Sequence, residues 1–310
     1  MNSRIYSAKM IENMRSHLDN TVSRFITYPK FVFLCGKAYE ACGYEETNRG
    51  IIHKYLCRKS ADVFIVLSEK LWEDSFNSNI DLLTVEDFLA EVSDAIILFV
   101  ESPGSFCELG AFAYAEKLFS DKLIIVIDEK YKGDKSFIIT GPTAKALKDG
   151  SKVIYAPLDG TGLLSSFVLR SVLTDKLQDF RSKSSMQNKR TPNQEEDKVL
   201  VNSFILELLE LIKILQPISK RDLIDVYKLV KGFSSFSFVR KDGKPFHNEI
   251  KTDYIYKLLQ TVDLIDIKAD IITSKQTKSQ TLMFTYSKKA ENQERNKLLC
   301  RKYRYRGSVL

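Results

Sequence analysis

Across the first 180 residues, short apolar runs rich in β-branched and aromatic residues alternate with amphipathic stretches, and few patterns restrict a fold as tightly. The runs are Phe31–Cys35, Val63–Leu67, Ala95–Val100, Leu123–Ile127 and Val153–Tyr155, and helical patterns lie between and after them around Arg49–Arg58, Val85–Val92, Phe106–Phe119 and Leu163–Phe180. Such alternation is the signature of βαβ units and a mainly parallel sheet. Parallel strands covered on both faces read as unbroken apolar runs, and AIILFV and KLIIVI do so here. The pattern predicts a doubly wound α/β domain over residues 1–180. Residues 1–29 add a helix around Ala8–Phe25 that packs on the domain or on a neighbour.

The stretch 181–198, RSKSSMQNKRTPNQEEDK, has almost no large apolar residue and reads as a linker. Beyond it come helical patterns at Val199–Leu215, Lys220–Val230 and Asn248–Thr261. Two strand-like segments follow, Leu264–Thr273 and Thr281–Ser287, flanking a polar turn at Ser274–Gln280. Three helices followed by a hairpin is the order of a winged-helix α+β domain, expected over 199–287. Residues 288–310 form a basic tail. At ~150 residues per domain, 310 residues suffice for two cores.

Charge divides the chain in the same place. Residues 1–180 carry 21 basic and 25 acidic side chains, whereas 181–310 carry 26 and 15. A half that basic faces phosphate, while a mildly acidic half suits an enzyme. No apolar run approaches the ~20 residues of a membrane span, and the opening MNSRIYSAKMIENMRS is too polar for a signal peptide, so the expected location is the cytoplasm without membrane attachment. Cys35, Cys42, Cys57, Cys107 and Cys300 show no CxxC spacing, which argues against structural zinc, a disulfide framework or any metal centre.

Chemistry concentrates in Glu101-Ser-Pro-Gly-Ser-Phe-Cys-Glu108-Leu-Gly-Ala-Phe-Ala113. This stretch leaves the third strand at its carboxyl end, turns at Pro103-Gly104 and enters a helix. Ligands of doubly wound folds bind at that edge. With Ser105 as helix cap, Glu108 falls in the first turn, where the helix dipole favours its ionised form, so Glu108 is expected to be a carboxylate at neutral pH. Ser105-x-x-Glu108 also fits a capping box, in which the glutamate only bonds back to the cap amide. The other acids nearby, Glu101 and Glu86 or Asp87, together with Gly104, are more than a cap requires.

ESPGSFCELGAFA, with the preceding LLTVEDFLAEVSDAIILFV and the earlier FVFLCGK, resembles the nucleoside deoxyribosyltransferase-like effectors of bacterial retrons, which join such a domain to a winged helix. The resemblance implies that Glu108, in the family's E-L-G motif, is the nucleophile on the sugar's anomeric carbon. The base-contacting Asp of the wider family falls on Ser102 here, and a further family acid falls near Glu86. Cleavage of an N-glycosidic bond passes through an oxocarbenium-like transition state that a carboxylate stabilises or traps. A purine leaving group also needs a proton, yet His17, His53 and His247 all lie outside this segment. Nicotinamide leaves NAD without one, which favours NAD as substrate, with no separate cofactor.

Gly36-Lys37 after the first strand and Asn48-Arg49-Gly50 at a helix start could hold a pyrophosphate, although Lys37 and Arg49 also fit solvated surface charges. Glu69 and Trp72, after the second strand, either wall the pocket or belong to the core or rim. Gly104 and Ser105 complete the expected substrate-binding set, and His53 reads as a packed helix residue.

In the basic half, Lys251, Thr252, Tyr254 and Lys257 would face outward from a recognition helix, with Lys275, Gln276, Lys278 and Gln280 at the wing tip. Lysines there suit phosphate contacts better than base reading, and they also fit a solvated face. In the tail, Tyr303 and Tyr305 alternate with Arg301, Arg304 and Arg306, a mixture that stacks on bases and binds phosphate. The resemblance implies the partners: a retron reverse transcriptase and its multicopy single-stranded DNA (msDNA), a branched RNA–DNA that together restrain an antiviral toxin until phage infection, and a second copy of the chain in a homo-oligomer. Two rivals stay open. One is a glycosidase or transferase acting on nucleosides or nucleotides, with Glu101 or Glu86 as proton donor if burial raises its pKa. The other is a nucleotide-sensing winged-helix regulator without catalysis.

Overall fold

The computed structural model describes residues 8–21, 29–37, 43–72, 81–115, 119–160, 162–182, 198–246 and 250–275. The chain divides into two compact units: one is Pro29–Ser182, and the other joins residues before Pro29 to those after Ser182.

The Pro29–Ser182 unit is an α/β structure on five parallel strands: β1 (Lys30–Cys35), β2 (Val63–Val66), β3 (Ala95–Val100), β4 (Leu123–Asp128) and β5 (Lys152–Ala156). Their order across the sheet is β2-β1-β3-β4-β5, and β1 and β3 lie side by side with Cys35 opposite Leu98. The chain steps from β1 to β2 on one side and returns to β3 on the other. Strand order therefore reverses at the β1/β3 crevice, where the carboxyl ends diverge and leave room for a ligand.

Five of the helices in this unit are α2 (Asn48–Lys59), α3 (Ser68–Trp72), α4 (Leu82–Val92), α5 (Pro103–Tyr114) and α7 (Phe167–Ser182); α1 (Ala8–Thr21) belongs to the other unit, and the short α6 (Ala144–Asp149) precedes β5. Alternate strand residues Val32, Leu34, Ile97 and Phe99 join Ile52 and Leu56 of α2 and Leu169 and Leu173 of α7 in one core. Phe33, between Val32 and Leu34, meets Phe112 of α5 edge-on. Both faces are covered, which is why AIILFV can be apolar at every position. The expected strands all form. The helix expected at Phe106–Phe119 instead starts at Pro103 and ends at Tyr114.

The second unit corrects the boundary expected at residue 1. Helix α1 (Ala8–Thr21) belongs with the C-terminal half, and its stripe Met10, Met14 and Leu18 is buried. Arg15 of α1 donates to the carbonyls of Val230 (2.9 Å) and Leu229 (3.2 Å), near the end of α9 (Lys220–Lys231). A cation is favoured there because the last carbonyls of a helix lack internal partners. The central helix α8 (Val201–Leu215) is buried along most of its surface. Its Glu207 is held by Tyr227 (2.9 Å) and Lys231 (2.7 Å) of α9.

Around these helices lie a parallel pair, β6 (Lys198–Leu200) and β8 (Ser237–Val239), and a small antiparallel sheet of order β7-β10-β9. The antiparallel strands are β7 (Ile218–Ser219), β9 (Ile265–Lys268) and β10 (Ile271–Ser274), and α10 (Thr252–Thr261) precedes β9. The hairpin corrects another expectation: Leu264–Thr273 is not one strand but two, reversing at Ala269-Asp270, both with positive φ (46° and 69°). Left-handed residues at both turn positions match the twist of a two-residue hairpin. Lys275 therefore follows the hairpin instead of tipping it, and it pairs with Asp263. The expected second strand at 281–287, most of the linker 181–198 and the whole tail 288–310 lie outside the described residues. Among the described residues, no helix is long and apolar enough to cross a membrane.

Candidate active site

Four sequence segments meet where β1, β2 and β3 end: Cys35-Gly36 after β1, Asn48-Arg49 opening α2, Ser68-Glu69 opening α3, and Glu101 with α5 after β3. Helix α4 adds Glu86 from its second turn. The cap of α5 is Ser102, not Ser105: Ser102 Oγ accepts the Ser105 N–H, and Ser105 Oγ in turn accepts the amides of Ser102 and Glu101. The cap moves because Pro103 suits the first helical position, where no amide is needed. Glu108 consequently sits in the second turn, beyond the helix-end amides that were expected to keep it charged.

What surrounds Glu108 acts the other way. It shares a hydrogen bond with Glu86, and Cys35 Sγ and one carboxylate oxygen from each glutamate lie within 4.8 Å of one another. Burial, followed by the neighbouring Glu86, pushes the Glu108 carboxyl up to about 8, with Arg49 opposing. Burial pushes Glu86 up to about 7, against the Ser68 hydrogen bond and the Arg49 charge. The expected permanent carboxylate at Glu108 is therefore replaced by a pair, Glu86 buried and Glu108 half-buried, that shares a proton near neutrality, because two like charges in a weakly solvated site cannot both ionise readily. Such a pair offers one carboxylate and one acid together. Cys35 is buried, and burial, then Glu108, hold its thiol well above its usual range, so it stays protonated. The thiol–carboxylate trio is the grouping among the described residues with the donor types of a metal site.

Arg49 is not a solvated surface charge. It is 1% exposed, and its guanidinium donates to the Lys37 carbonyl (2.6 Å) and pairs with Glu69 (2.6 Å). The Lys37 side chain faces solvent. Glu101 takes a different task from Glu86: it accepts from Asn48 Nδ2 (2.6 Å) and the Lys37 amide (3.2 Å), tying the β1 loop to the end of β3. Gly36 permits this, since a Cβ there would stand 3.1 Å from a Glu101 oxygen. Gly104 is exposed, and Ser102 and Ser105 serve the helix cap. His53 bonds Tyr44 and is packed as expected. The Trp72 side chain lies outside the described residues.

Sequence reasoning passed over Cys35 and Ser68, and it did not link Arg49 to Glu69. The strand-end rule that selected Glu101 would have found the first two, each within two residues of a strand's end.

In the basic half, Lys251 is exposed at the start of α10 and Lys257 is half-buried; Lys278, Arg301 and Arg304 lie outside the described residues.

Two proteins of Escherichia coli are similar to this chain. The retron Ec73 protein is 31% identical over 223 residues, 66% of this chain and 68% of its own length. The retron Ec86 protein is 41% identical over 125 residues, 40% of this chain and only 39% of its own length. Both are described as candidate ribosyltransferase/DNA-binding proteins. Residues 45–289 match the profile of the STM3845 retron effector protein, and this chain belongs to that retron effector family.

Proposed function

We propose that the protein is a toxin of antiviral defence that cleaves an N-glycosidic bond, with Glu108 as nucleophile and Glu86 as the group that holds and returns the proton. The hydrogen-bonded Glu86–Glu108 pair at the β1/β3 crevice carries the reading. Once the pair's single proton has passed from Glu108 to Glu86, a Glu108 oxygen forms a bond to the anomeric carbon as the C–N bond breaks and its electron pair leaves with the base. Glu86 then gives up its proton, to a base that needs one or, after nicotinamide has left, to solvent. Water then attacks the same carbon, gives its proton to ionised Glu86 and frees Glu108. A group titrating near neutrality serves in both forms.

For NAD the products are nicotinamide and ADP-ribose, and the departing ring needs no proton. One observation favours a second substrate class. A Glu86 whose pKa burial raises is the proton donor that the rival reading called for, so nucleosides or nucleotides with purine leaving groups fit the same site.

The C-terminal unit supports a winged-helix reading through its order α8-β7-α9-β8-α10-β9-β10, in which β8 pairs with β6 and stands apart from the three-stranded sheet, and the basic half supports docking on the msDNA and reverse transcriptase that would restrain the enzyme. An apolar outer face on the catalytic unit supports homo-oligomers: Phe106, Tyr114 (80% exposed) and Phe137 (82%) stand in solvent on α5 and the neighbouring turn.

The test is product analysis by chromatography after incubation with NAD, ribonucleosides and nucleotides. Free nicotinamide or a free base is expected, and Glu108→Gln should reduce its release at least about a thousandfold. Unchanged release by that variant would refute the nucleophile assignment.

A further inference from the structure

We infer that Glu69, locked in place by the buried Arg49, reads the sugar of the substrate and admits ribosides in preference to 2′-deoxyribosides. This deepens the glycosidase proposal and rests on Glu108 being its nucleophile.

Glu69 opens α3 beside the catalytic pair, and Arg49 holds its Oε1 at 2.6 Å. Arg49 is itself fixed by the Lys37 carbonyl, so the carboxylate is anchored from a rigid base. The other oxygen, Oε2, is buried and accepts no hydrogen bond among the described residues, and the same is true of Glu108 Oε2. Glu69 lies close enough to both Glu86 and Glu108 for its charge to raise their proton affinity.

The site thus contains two orphan carboxylate acceptors on neighbouring elements. A buried acceptor without a donor is costly and calls for an explanation, and a ligand that brings O–H groups supplies one. If Glu108 addresses the anomeric carbon, the hydroxyl one bond away is the 2′-OH, which is the group placed to donate to an acceptor flanking the nucleophile. Hydrogen bonds to that hydroxyl strengthen as the oxocarbenium develops. A 2′-deoxy sugar would leave Glu69 Oε2 buried and unpaired, which is how a polar site rejects an analogue lacking one hydroxyl. The shared chemistry is a ribosyl group on a planar base, as in NAD or a ribonucleoside.

The experiment compares NAD with its analogue bearing 2′-deoxyribose on the nicotinamide side. kcat/KM for nicotinamide release is divided by each compound's uncatalysed rate, because the deoxy sugar departs faster unaided. The wild-type protein should favour NAD at least about tenfold, and Glu69→Ala should bring the ratio within about threefold of unity. Glu69→Gln keeps an acceptor oxygen and a partner for Arg49, so it guards against misfolding and should retain part of the preference.

Equal losses on both compounds in the Glu69 variants, or no preference in the wild type, would overturn the inference while leaving Glu108 dependence intact. Continued nicotinamide release by Glu108→Gln would instead bring down the nucleophile reading and this inference with it.

Discussion

Glu86 and Glu108 compete for one proton in a place where water shields them poorly, and this leaves a mark on stability as well as on chemistry. A carboxyl raised from 4.5 to about 8 keeps its proton over a range where the unfolded chain has lost it. Folded Glu108 then binds more protons than unfolded Glu108, so stability falls as pH climbs through that window. Glu108→Gln keeps the shape and removes the ionisation. It should melt a few degrees above the wild type at pH 8 and show little advantage at pH 4.5, as thermal unfolding across the range would reveal. A constant difference at both pH values would contradict the shared proton. The acids themselves were legible from the sequence, but their grouping was not. Glu101 and Glu86 are equally plausible neighbours of Glu108 along the chain, and only the approach of α4 to α5 pairs one while Asn48 claims the other.

Among the elements, the five strands could be read directly because continuous burial writes itself as continuous hydrophobicity. The hairpin could not, since Ala269-Asp270 lacks the glycine or asparagine that usually announces a left-handed turn. The start of α2 has a different constraint. A Cβ on Gly50 would lie 1.9 Å from the Tyr44 carbonyl oxygen, a backbone atom with nowhere to go. Gly50→Ala should therefore cost about 1–3 kcal/mol or more, visible as a lower urea midpoint. Because Asn48 and Arg49 immediately precede it, the same variant should disturb base release, whereas an unchanged midpoint would show that the close approach is not maintained in solution.

At the scale of the molecule, the pairing of α1 with α9 joins residues 215 positions apart, as the Arg15–Val230 hydrogen bond shows. No local pattern foretells that partnership. The stripe Met10, Met14, Leu18 says only that α1 covers something. Met14 is 1% exposed, so Met14→Ala should destabilise the unit containing α8 and α9 by about 2–5 kcal/mol while the parallel-sheet unit keeps its own melting transition. Calorimetry resolves the two, and a downward shift of both transitions together would contradict the division.

The same long-range pairing orders events during synthesis. The ribosome finishes every strand of the parallel sheet before it makes the helices that α1 will cover. At about 5–20 residues per second, the methionines of α1 wait roughly 10–40 s for α9. Over that interval the sheet-bearing unit can become complete while the basic half is still emerging, so the nascent chain passes through a stage in which one unit is whole and α1 still waits for its cover.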